Sequence, residues 1–119
     1  VDLLRIRMDS GRCSLYKWGA APSYLLRDSG AEKIGTAGPP PGLSVSEGRE
    51  TVERLSLRRG ETLVLLSDGA GGEDAVHRAW EAADAPPGEL AARILEEGPA
   101  GEEDDATVAV IRLSPAPVI

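Results

Sequence analysis

An α+β fold, mainly antiparallel sheet with two helices on one face, is predicted by three features of this chain. Six short runs of strand character come first, two runs of helical spacing follow, and one strand closes the order. Turn-forming residues separate most neighbouring strand runs, which favours antiparallel pairing over long crossovers. One run, 62–67, is almost wholly aliphatic, as a central strand covered on both faces must be. Seven strands of this length make either an open sheet or half of a sandwich.

Each element follows from its local pattern. Residues 2–8 alternate Leu4, Ile6 and Met8 against Arg5, Arg7 and Asp9, a period of two. Asp9-Ser10-Gly11-Arg12 supplies turn chemistry, because Gly accepts positive φ and Asp and Ser bond to nearby backbone. Cys13–Trp18 alternates again, so 2–18 reads as a hairpin. A third strand covers Ser23–Arg27, and Asp28-Ser29-Gly30 turns into a fourth at 31–35. The stretch 36–49 holds Pro39, Pro40 and Pro41 and is read as a loop, since proline removes a backbone donor. Strands at 51–58 and 62–67 follow, joined by Arg58-Arg59-Gly60-Glu61.

Beyond Gly69 the period changes. Ala75, Val76, Ala79, Trp80 and Ala83 recur at helical spacing, and Glu73 and Asp74 suit the positive end of a helix dipole. Pro86-Pro87-Gly88-Glu89 punctuates the chain before a second amphipathic helix marked by Leu90, Ala91, Ile94 and Leu95, which ends at Gly98-Pro99. The last strand spans 106–113, with Val108, Val110 and Leu113 read as one side. Residues 115–119 are a tail.

Composition narrows the function classes. The 119 residues amount to one domain or part of one. With no Phe, the core is built from Leu, Val, Ile and Ala. A net charge of −7, from 20 acidic and 13 basic residues, argues against nucleic-acid binding by bulk electrostatics. Arginines at 5, 7, 12, 49, 54, 58 and 59 still leave room for a local basic patch. Cys13 is the only cysteine and reads as a small core residue in a reducing, cytoplasmic compartment. No apolar stretch approaches the ~20 residues of a membrane span, so this segment is expected to make no membrane contact, with any anchor elsewhere in the parent protein. The chain opens at Val1, without Met, and reads as a piece cut from a longer protein.

Two acidic signatures carry the chemistry. Leu65-Leu66-Ser67-Asp68-Gly69 ends one aliphatic run, and Glu102-Glu103-Asp104-Asp105-Ala106-Thr107-Val108 begins another. Taken singly, Asp68 also reads as a turn residue, and Asp104-Asp105 as part of a solvated acidic loop. Taken together, carboxylates converging at strand ends repel unless a cation or shared proton offsets the charge. A divalent ion held by Asp68 and Asp104 removes that cost, and oxygen-only ligands select Mg²⁺ or Mn²⁺ over zinc. His77, in the helical insert, reads as a surface residue rather than a ligand.

At these residues the chain resembles a known family. Leu63–Gly69, the two-helix insert and Asp104–Val110 are similar to the carboxy-terminal half of metal-dependent protein serine/threonine phosphatases of the PP2C class. Gly19-Ala20-Ala21-Pro22-Ser23-Tyr24-Leu25 followed by Arg27, and the opening Val1–Ile6, resemble the bacterial branch represented by the sporulation phosphatases of the stage II sporulation protein E type. The resemblance runs from Val1 to Leu113. It implies a β-sandwich with flanking helices, and it assigns 1–114 to the carboxy-terminal part of a phosphatase domain.

The resemblance also implies a two-metal centre of Mn²⁺ or Mg²⁺, with Asp68 and Asp104 as catalytic metal ligands. Asp105 stands behind the ligands, where the family often has Asn, and Gly69 and Thr107 shape the site. The implied reaction is attack of an acidified water on phosphoserine or phosphothreonine, without a phosphoenzyme. The implied partner is a phosphoprotein, an anti-anti-sigma factor in sporulation sigma-factor control. The family's further Asp-Gly motif, which bridges the two metals, has no counterpart before Asp68. The chain alone is therefore expected to be inactive, and its unpaired sheet edges to favour homo-oligomers. The competing expectation is a catalytically silent interaction module of the same fold.

Overall fold

Alternation along the sequence becomes pairing between strands. The structure, a computed structural model, describes residues 2–17, 21–34, 51–67, 69–70, 72–82, 84–97 and 106–113. Its elements are β1 (Asp2–Ile6), β2 (Arg12–Lys17), β3 (Ser23–Arg27), β4 (Gly30–Ile34), β5 (Thr51–Ser56), β6 (Thr62–Leu66), α1 (Glu73–Trp80), α2 (Pro87–Glu96) and β7 (Val108–Arg112). They form a three-stranded sheet in the order β1-β2-β5 and a four-stranded sheet in the order β4-β3-β6-β7. Every pairing is antiparallel.

The layers follow from which side chains must leave water. Residues of β3 and β6 alternate in direction, and both sides of these strands are apolar. Tyr24, Leu26, Val64 and Leu66 pack with Ala75, Val76, Ala79, Leu90 and Ile94 of the two helices. Leu25 and Leu63 face the other way, into a cluster with Cys13 and Leu57 and the partly buried Leu4, Ile6, Leu55 and Ile111. The molecule is thus a sandwich of two sheets, with both helices on the outer face of the four-stranded one. The expected α+β class and helix placement are borne out, and the choice between open sheet and sandwich falls to the sandwich.

Specific polar contacts seat the helices. Pro87 opens α2, a position where its missing N–H costs nothing. The Trp80 indole donates to the Arg27 carbonyl at 2.7 Å, tying the end of α1 to the end of β3. Arg112 donates from Nε to Thr62 Oγ1 at 2.9 Å and from Nη1 to the Ala85 carbonyl at 2.7 Å. That one guanidinium joins β7, β6 and the α1–α2 connection.

Most element boundaries agree with the sequence reading to within two residues. One side assignment does not. Val108 and Val110 face the helices, whereas Leu113 joins Ile111 in the cluster between the sheets. The reason is parity: an odd-numbered residue cannot share a strand face with 108 and 110. The readings of the 36–49 loop, Trp18, Ala83 and the 115–119 tail lie outside the described residues.

The turn at Gly11 is a fixed point of the sandwich. Its φ is +74°, and a methyl group built there would overlap the Leu57 carbonyl oxygen. Gly11 also accepts a hydrogen bond from the Leu57 N–H at 2.8 Å. Gly11→Ala is expected to destabilise the protein by at least about 2 kcal/mol, from left-handed strain plus overpacking. A urea midpoint equal to that of the parent would sink this assignment.

Cys13 supplies a second expectation. Burial pushes its thiol up from the ordinary 9.0, only partly offset by a backbone hydrogen bond at Leu57. Burial, with a smaller push from Glu73, raises Tyr24 above 10.0 in the same sense. Both groups stay neutral in the fold while ionising in the unfolded chain, so stability is full below pH 9 and declines as pH rises further. Denaturation midpoints at pH 8, 9.5 and 10.5 should fall in that order, and Cys13→Ala should flatten the first step.

Candidate functional site

β6 and β7 bring together the described residues that flank the two acidic motifs. These strands pair with Leu66 opposite Val108, and the next pair continues the ladder. The Ser67 N–H donates to the Thr107 carbonyl at 3.0 Å, and the Thr107 N–H donates to Ser67 Oγ at 2.8 Å. The Ser67 carbonyl accepts from the Ala70 N–H at 3.1 Å, closing the turn that contains Gly69. Every polar group of Ser67 is therefore engaged. A serine, with its short side-chain acceptor, can serve this junction where an aliphatic residue cannot.

Asp68 follows Ser67 directly, and Asp104 and Asp105 precede Thr107 by three and two positions. All three carboxylates lie outside the described residues, as does any contact they make. The junction brings together Ser67, which Asp68 follows, and Thr107, two positions beyond Asp105. Of the other sequence-stated site residues, Gly69 is half-buried and Thr107 exposed. Among the described residues no group of three or more His, Cys, Asp or Glu is placed to hold a metal. His77 is exposed on α1, 3.4 Å from Glu73, and Cys13 is buried between the sheets.

A polar cluster that the sequence reading passed over stands at the same end of the sandwich. Lys17, at the end of β2, has no solvent exposure. Its Nζ donates to Asp2 Oδ1 at 2.6 Å and to Ser23 Oγ at 2.8 Å. Parity was the available signal: 13, 15 and 17 share a strand face, and Cys13 and Leu15 are core residues. A lysine on that face must be buried, and a buried ammonium needs partners.

Four of the seven arginines considered for a basic patch come together. Arg5, Arg7, Arg12 and Arg54 line an open groove of about 830 Å³ with Ser14 and Ser56. Arg5, Ser14 and Arg54 stand in one row across the three-stranded sheet, so like charges are concentrated on its outer face. No helix among the described residues is long and apolar enough to cross a membrane.

Comparison with known proteins places these features in a family. Residues 1–114 match the family described as Stage II sporulation protein E (SpoIIE). Comparison with curated protein sequences gives no match. Among solved structures, the phosphatase domain of the cell fate determinant SpoIIE from Bacillus subtilis is 25% identical with a TM-score of 0.73, covering 100% of this chain and 60% of that one.

The PP2C phosphatase domain of the same Bacillus subtilis protein, solved with a fragment of its regulatory domain, is 27% identical with a TM-score of 0.71. It covers 93% of this chain and 36% of that one. The Bacillus subtilis domain has also been solved after presoaking with manganese. The serine/threonine phosphatase PstP/Ppp of Mycobacterium tuberculosis shares the fold at 23% identity and a TM-score of 0.61, over 88% of this chain and 56% of that one. The chain spans about 60% of the Bacillus subtilis domain it matches. The match over residues 1–114 makes this chain a member of the SpoIIE family.

Proposed function

We propose that residues 1–114 form the carboxy-terminal part of a PP2C-type protein serine/threonine phosphatase domain, with 115–119 as a tail. Two observations support this reading. The chain is a member of the SpoIIE family, and the Ser67–Thr107 junction holds together the two segments that bear its acidic motifs.

In this reading Asp68 and Asp104 hold a divalent ion, Mn²⁺ or Mg²⁺, and Asp105 supports them from behind. When bound, such an ion supplies a Lewis acid that lowers the pKa of water and offsets the charge of a phosphate ester. The protein's own task is positional. Ser67 and Thr107 fix where the two acidic segments leave the sheet, and Gly69 lets the chain turn away directly after Asp68. The substrate is a phosphoserine or phosphothreonine protein in the cytoplasm, of the anti-anti-sigma type that controls sporulation sigma factors. Edge strands β1, β5, β4 and β7 offer a route to self-association.

The deciding measurement is manganese-dependent hydrolysis of a phosphoserine peptide by the protein that carries this chain within its complete phosphatase domain. Asp68→Asn and Asp104→Asn are each expected to lower kcat by about 10² or more, as loss of a charge that stabilises the transition state does. Full activity in both variants would remove these two carboxylates from the site, whereas a parent without manganese-dependent turnover would favour the catalytically silent interaction module. Ser67→Ala, which removes the acceptor for Thr107, should raise the manganese concentration needed for half-maximal activity by several fold, as loss of a ligand-orienting hydrogen bond does. The 119 residues alone should show no turnover.

A further inference from the structure

We infer that Lys17 is a positioning residue for this site, acting through a buried hydrogen bond that ties one sheet of the sandwich to the other. The inference rests on the phosphatase reading above. Lys17 and Asp2 belong to the three-stranded sheet, and Ser23 begins β3 of the four-stranded one. The Lys17–Ser23 bond at 2.8 Å therefore crosses the interlayer space, while the 2.6 Å bond to Asp2 stays within its own sheet.

The location of the tie is what connects it with chemistry. β3 and β6 pair with Tyr24 opposite Val64, so Ser23 falls opposite Leu65, two residues before Ser67. Strand spacing and rise put Ser23 roughly 8 Å from Ser67 across the sheet. The tie stands at the end of the sandwich where the acidic segments leave β6 and enter β7.

A lysine is a costly choice for this position. Removing an ammonium from water carries a desolvation penalty that an aliphatic side chain would avoid, and a well-packed apolar residue often serves stability as well. Direction is what the polar group adds. Apolar layers tolerate small sliding, whereas hydrogen bonds weaken steeply outside a narrow range of length and angle. Asp2 compensates the charge, and Ser23 receives the fixed length. Ser67–Thr107 holds β6 to β7 inside one sheet, and Lys17 holds that sheet at a set height above the other. Ligand constellations tolerate only about 0.5 Å of error, so sliding at this end reaches the chemistry.

The test uses the protein with its complete phosphatase domain, manganese and p-nitrophenyl phosphate. The double variant Lys17→Met/Asp2→Asn leaves no buried charge and keeps the packing volume. Ser23→Ala removes only the cross-sheet bond. The double variant should keep its thermal midpoint while kcat falls about tenfold or more, as expected for misplaced groups. Its KM should stay within about twofold, because the substrate's own contacts are untouched.

Ser23→Ala should lower kcat in the same direction by a smaller factor, and Ser23→Thr, which restores a hydroxyl, should recover most of it. If the double variant fails to fold, the two Ser23 variants decide. Parental kcat and manganese dependence in folded variants would overturn the positioning role while leaving the phosphatase reading intact. A parent that hydrolyses nothing would overturn that reading, and this inference with it.

Discussion

Double burial of β3 and β6 is the constraint on which the rest of the structure depends. Leu25 and Leu63 face one way, and Tyr24, Leu26, Val64 and Leu66 the other. A strand pair that is apolar on both sides is stable in water only when both sides are covered. One cover is the three-stranded sheet and the other is the pair of helices. The absence of Phe shapes how this is done. Aliphatic residues with Cys13 fill the interface between the sheets, and aliphatic residues and alanines the one under the helices, where Tyr24 clusters with the alanines of α1.

Polar groups then decide where the apolar layers stop. Arg112 and Trp80 fasten the helices to the sheet away from the acidic segments. Ser67, Thr107, Lys17, Ser23 and Asp2 gather at the opposite end of β6. Backbone ladders alone would leave that end to fray, since a strand terminus has no further partner to pair with. Side-chain acceptors extend order past the last ladder pair, to the residues that border the acidic motifs. Charge is sorted as well: a chain with a net charge of −7 concentrates four arginines on the outer face of its three-stranded sheet.

The fold was largely legible because its signals are local. Alternation located the strands, helical spacing located α1 and α2, and the aliphatic run at 62–67 announced a strand covered on both sides. Gly11 was read as a turn glycine and has the positive φ that such a turn requires. Strand parity holds two further signals. It would have separated Leu113 from Val108 and set Lys17 facing the core beside Cys13 and Leu15. Alternation alone left the split into two sheets open, because it looks the same in an open sheet and a sandwich; the resemblance implied the sandwich that the two sheets form. The acidic motifs were visible as composition, but the contact between Ser67 and Thr107 was not. It joins residues 40 apart, and register across such a separation is set by tertiary packing rather than by local sequence.

That long separation has a consequence for how the chain tolerates change. The Ser67–Thr107 contact closes a loop that contains both helices, and α1 and α2 are held by the four-stranded sheet independently of the contact itself. Closing a loop costs entropy only as the logarithm of its length, about 0.6 kcal/mol for each doubling. Residues added between α1 and α2, or after α2, would lengthen the excursion without moving its two ends. The insert can therefore drift in length and surface character while the junction keeps its register.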